Sequence, residues 1–170
     1  VFGKADGLDT VDLGAAAAGR FVTFENFDLN SNDEFGISVA SAGDWNGDGF
    51  DDIIVGDSRG DVATAHILLG HAGAFEAFEN VGGPGAGDVD IVLPVVSPRL
   101  PGLPGLTFNL HMSVESAGDI NGDGFDDVII STRSSEQSFI VFGRGGVAPT
   151  IINFDSFEDQ GVVIVATGPD

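Results

Sequence analysis

The nine residues 44–52, DWNGDGFDD, return at 119–127 as DINGDGFDD. Each copy sets Asp, Asn, Asp and Asp at relative positions 1, 3, 5 and 9, with glycines at 4 and 6. A short loop with this alternation wraps oxygen ligands around a hard divalent cation. An apolar run follows each copy, at 53–55 and again at 128–130. The chain is therefore expected to be built from repeated units, each a cation loop followed by a strand.

Charge points the same way. Six basic residues stand against 27 acidic ones, a formal net charge of -21, which disfavours nucleic acid and anionic membranes and makes cations the natural partners. Acidity of this order also marks disordered tails, but 42% hydrophobic residues, with 14 Phe, is too much apolar material for one. The chain is expected to fold when its metal loops are filled, since unfilled they would repel one another. There is no Cys, so disulfides and thiol chemistry are excluded, and no apolar run approaches membrane-spanning length, so no membrane insertion is expected. The opening at Val1, in sequence that already resembles a repeat, suggests a processed product or a piece of something longer.

Other features recur with the loops. Ser41-Ala42-Gly43 leads into the first and Ser116-Ala117-Gly118 into the second, and the loop starts lie 75 residues apart. Strand-ending glycines stand at Gly3, Gly70 and Gly143. The unit boundaries are read as 1–70, 71–143 and 144–170, the last being the start of a third unit. Strands are expected at 21–27, 35–42, 52–56, 62–69, 89–96, 128–131, 138–142, 151–154 and 161–166, with 62–69 the outer strand of its unit. Residues 57–61 read as a turn and 15–18 as a single helical turn. The insert 97–106, with Pro98, Pro101 and Pro104, reads as extended and helix-free. Residues 35–42 place Phe35, Ile37 and Val39 on one side and small residues on the other, as in a closely packed strand.

Calcium takes about six to eight oxygen ligands. The candidate ligands are Asp44, Asn46, Asp48, the backbone carbonyl of Phe50, and Asp52 in the first loop. Asp119, Asn121, Asp123, the carbonyl of Phe125, and Asp127 are their counterparts in the second. The neighbouring Asp51 and Asp126 are expected to add charge or hold the loop. An EF-hand needs Glu at position 12, where Val55 and Ile130 stand here. Zinc is disfavoured by the lack of Cys and by only three scattered His.

The run Phe35-Gly36, Ser41-Ala42-Gly43-Asp44, the DxNGDGxxD loop, an apolar strand and a closing strand before Gly resembles the FG-GAP repeat of integrin alpha-subunit β-propellers and their bacterial relatives. The resemblance implies an all-β fold of antiparallel propeller-type blades, about two repeats and hence a partial propeller, with two Ca2+ sites and a role in adhesion or ligand recognition. In the second unit Leu110-His111 replaces Phe35-Gly36, which weakens the signature there.

Beyond the loops the residues read blandly. His66 is expected to be a packed or edge histidine in an apolar strand, and His71 and His111 have no metal-spaced partner. Ser38, Ser41 and Ser116 have no adjacent His–Asp arrangement, so no catalytic residue is assigned and the chain is not expected to be an enzyme. Trp45 reads as packing rather than as a sugar platform. The expected function is that of a secreted or cell-surface calcium-binding structural or adhesion module that binds a protein partner or associates with itself through open blade edges. The alternatives are a calcium-dependent carbohydrate-binding module and a non-catalytic accessory domain of a secreted hydrolase.

Overall fold

The computed structural model describes residues 23–26, 35–59, 62–73, 78–81, 88–93, 112–132, 137–146, 151–153 and 161–165. Among these residues there are strands and no helix. In chain order they are β1 (Thr23–Asn26), β2 (Ser38–Gly43), β3 (Asp52–Arg59), β4 (Val62–Leu68), β5 (Phe78–Val81) and β6 (Val89–Leu93). There follow β7 (Met112–Gly118), β8 (Asp127–Thr132), β9 (Gln137–Val141), β10 (Ile151–Asn153) and β11 (Gly161–Val165). The expected helical turn at 15–18 and the proline-rich insert at 97–106 lie outside the described residues.

Two antiparallel ladders carry the repeat. The first sheet runs β10-β6-β4-β3-β2 and the second β11-β9-β8-β7, so β2, β3, β4 and β6 correspond to β7, β8, β9 and β11. The registers agree residue by residue. Ser41 pairs with Ile53 and Gly43 with Asp52 across a bulge, as Ser116 pairs with Val128 and Gly118 with Asp127. Gly43 and Gly118 sit at φ 65° and 63°, a left-handed turn that takes the chain out of the ladder and into the acidic loop. Two pairings are parallel: β10 adds to β6, and β1 pairs with β5 in a separate two-stranded sheet.

Several expectations change. β3 continues through Arg59, so Asp57 lies inside a strand instead of opening a turn. β4 is interior to its sheet, with β6 and β10 outside it, because the chain leaves after Gly70, forms β5 and returns as β6. On β2 the small side packs inward: Ala42 is buried and Ala40 packs against the same core, whereas Val39 is 60% exposed.

One core lies between the two sheets. The first contributes Ala42, Trp45, Ile54, Ala63, Ala65, Ile67, Val89, Ile91 and Leu93, and the second Met112, Val114, Val128, Ile130, Phe139 and Val141. Small residues on one side meet large ones on the other, which is how two pleated surfaces interdigitate without voids. Met112 lies over Gly56, where a Cβ would come within 3.0 Å of its sulfur. The amide of Val114 donates to Ser38 Oγ at 3.0 Å across the same seam. Full burial of a side chain such as Ile54 contributes about 1.5–3 kcal/mol. The opposite face of the first sheet carries a smaller cluster of Val55, Leu68 and Phe35.

Candidate metal centres

The two acidic loops adopt the same hydrogen-bonded form. In the first, Asp44 Oδ1 accepts from the amide of Asp48 at 2.9 Å and its Oδ2 from Gly49 at 3.0 Å. Asn46 Oδ1 also accepts from Asp48, while Asp48 Oδ1 accepts from Phe50, both at 2.9 Å. In the second loop Asp119 accepts from the amides of Asp123 and Gly124, Asn121 from that of Asp123, and Asp123 from that of Phe125. The loop amides thus gather the side chains at positions 1, 3 and 5, a set of hard oxygen donors suited to calcium. The carboxylates at position 9 are placed differently. Asp52, buried, accepts from the amide of Trp45 at 2.9 Å and of Gly70 at 2.7 Å, and Asp127 accepts from Ile120 and Gly143, each at 2.9 Å. Burial raises the Asp52 pKa, against the lowering effect of the hydrogen bonds from Gly70, Trp45 and Asn46.

This arrangement explains the strand-end glycines Gly70 and Gly143. A Cβ on Gly70 would lie 2.5 Å from the carbonyl oxygen of Asp51, and one on Gly143 would lie 2.3 Å from that of Asp126. Only glycine brings its amide close enough to the position 9 carboxylate, so each loop is tied to the end of the third strand of its own sheet.

The loops also hold each other. Asp126 Oδ2 accepts from the amide of Asp44 at 2.9 Å, and the amide of Arg144 donates to the Trp45 carbonyl at 2.9 Å. Phe125 lays its ring against Gly47, and Trp45 is fully buried, whereas Phe50 and Ile120, their counterparts in the other copy, are 41% and 57% exposed. A buried Trp45 offers no exposed aromatic platform, which the carbohydrate-binding alternative required of it.

A second constellation was not legible as a motif. His66 on β4 is 2% exposed and sets Nδ1 2.7 Å from Asp90 Oδ1 and 3.6 Å from Asp88 Oδ2. Its Nε2 lies 3.6 Å from Asp57 Oδ2 on β3 and has no hydrogen-bond partner. The ligand atoms of His66, Asp88 and Asp90 all lie within 4.8 Å of one another, so this buried cluster could coordinate a metal ion. Burial pushes the imidazole toward its neutral form, but Asp57, Asp88 and Asp90 together outweigh it and raise the pKa to about 10. Phe35 closes over the ring edge-on at 5.7 Å. The expectation of a packed strand histidine thus holds for the position of His66 but misses its acidic partners. The one sequence signal was the alternation of Asp88 and Asp90 around Val89, which puts two carboxylates on one face of an otherwise apolar strand. His71 is exposed, and His111 lies outside the described residues.

Among the described residues no helix is long and apolar enough to cross a membrane. No curated protein matches the chain. The FG-GAP repeat family matches residues 113–138, from β7 through the second acidic loop into β9, in the unit whose Phe-Gly signature is replaced. Taken with the two sheets of equal register, this places the chain in a distant relation to FG-GAP repeat proteins.

Proposed function

We propose that this chain is a calcium-dependent structural or adhesive module in which metal at two loops locks neighbouring β-sheets together. The observation that carries the reading is the direct bond between loops, Asp126 of the second to the amide of Asp44 in the first. Asp44, Asn46, Asp48, the Phe50 carbonyl and Asp52 would hold one ion, and Asp119, Asn121, Asp123, the Phe125 carbonyl and Asp127 the other. Bound calcium offsets the clustered carboxylate charge and so favours the folded loop. The position 9 aspartate then transmits that order to the strand ending at Gly70 or Gly143 through its hydrogen bond. The role is non-catalytic, and a secreted or cell-surface setting, rich in calcium, suits it.

Self-association belongs to the same reading. Ile37, Val39 and Ile53 are exposed on the outer face of the first sheet, and their counterparts Met112, Val114 and Val128 are buried against a neighbouring sheet. A second copy presenting a sheet face of the same kind would cover them. Calorimetric titration with calcium, thermal unfolding with calcium or chelator, and sedimentation in both conditions test the proposal. Two binding events, abolished one at a time by Asp44→Ala and Asp119→Ala, together with a calcium-dependent rise in Tm, are expected. Absence of calcium binding at millimolar concentration would refute the metal mechanism, and a monomer in both conditions would refute self-association.

A further inference from the structure

The internal repeat supplies a control for the His66 cluster. By register, Asp57, His66, Asp88 and Asp90 correspond to Thr132, Phe139, Gly161 and Val163 of the second sheet. The same fold is therefore built at the second position with no ionisable side chain among the four. Placing an imidazole and three carboxylates at the first carries a desolvation cost that packing does not require.

We propose that His66, Asp88 and Asp90 form a site for a divalent transition-metal ion of the zinc class, separate from the two acidic loops and different in chemistry. Calcium prefers oxygen donors throughout, whereas one imidazole with two carboxylates suits zinc and its neighbours. Three protein ligands leave a fourth position, and Asp90, 25% exposed, marks the side of the cluster that solvent reaches. With Nδ1 as ligand, the ring proton resides on Nε2, which is buried without a hydrogen-bond partner and faces Asp57 Oδ2 at 3.6 Å. A small rotation of the ring brings that N–H into bonding range, completing the carboxylate–histidine–metal relay that fixes the tautomer at such sites. A dication also offsets more of the surrounding carboxylate charge than a singly charged imidazolium can.

The test is titration with Co2+, read by its visible absorption, and with Zn2+, read by calorimetry. Both are carried out on the full chain with the acidic loops saturated by excess Ca2+. One equivalent of each metal is expected to bind. His66→Phe, which copies Phe139, is expected to weaken binding at least 100-fold while leaving the calcium isotherm unchanged, and Asp57→Asn to weaken it about 10-fold. Trp45 fluorescence verifies that each variant is folded, and Asp90→Asn, at the solvent edge, provides a second ligand test should His66→Phe fail to fold. Failure of both metals to bind, or binding that survives loss of the ligand side chain in a folded variant, would overturn the proposal and leave the cluster as an ion-pair network. Neither result depends on whether the acidic loops bind calcium.

Discussion

Gly43 and Gly118 form a matched pair for measuring how strongly the two repeats hold each other. Both follow Ser-Ala, precede the first loop aspartate and adopt nearly the same positive φ. A Cβ on Gly118 meets nothing within 4 Å, but one on Gly43 would lie 2.1 Å from Asp126 Oδ2 and 2.6 Å from its Cβ. Gly118→Ala should therefore cost only the left-handed strain of a non-glycine residue, about 1–2 kcal/mol. Gly43→Ala incurs the same strain and also displaces Asp126 from the Asp44 amide, a hydrogen bond to a charged group contributing about 1.5–3 kcal/mol. The expected totals are about 1–2 and about 2.5–5 kcal/mol respectively. Urea unfolding at saturating calcium measures both. In an Asp126→Gly background, which removes the Cβ as well as the carboxylate, the excess cost at Gly43 should vanish, since the clash and the bond are removed together. Equal losses at the two glycines, or an excess that persists without Asp126, would refute the argument that this carboxylate couples the loops.

Gly143→Ala, blocked by the backbone oxygens of Asp126 and Trp45, should cost about 3–5 kcal/mol by overpacking and loss of the bond to Asp127, and should weaken calcium binding at the second loop in a titration. Trp45→Ala should lose about 3–5 kcal/mol in chemical denaturation, while Ile120→Ala at the corresponding but exposed position should stay within about 0.5 kcal/mol. Calcium at 100 times its dissociation constant should add about 2.7 kcal/mol per filled loop, seen as a Tm that falls on chelation, and Asp119→Ala should halve that gain. Val39→Glu, on the open face of the first sheet, should shift any calcium-dependent oligomer to monomer in sedimentation without lowering Tm by more than about 2 °C.

Sequence by itself determined the repeat, the all-β character and the Asp and Asn side chains that each acidic loop gathers at positions 1, 3 and 5. These follow from local pattern: an alternation of Asp, Asn and Gly turns the chain and brings oxygens together, and an apolar run such as 128–130 after it forms a strand. The partners of Asp126 and His66 were out of reach for the same physical reason. The Asp44 amide that Asp126 holds is 82 residues away, and Asp57, His66 and Asp90 come together only because three strands align in one register. Stacking also decided which of two equivalent residues is buried. Trp45 and Ile120 share a loop position, yet the second repeat covers the former and leaves the latter exposed. Likewise, the alternation along 35–42 told that β2 has two faces, while the tertiary structure chose the alanine face for the core because the bulky side chains of β7 require small residues opposite them.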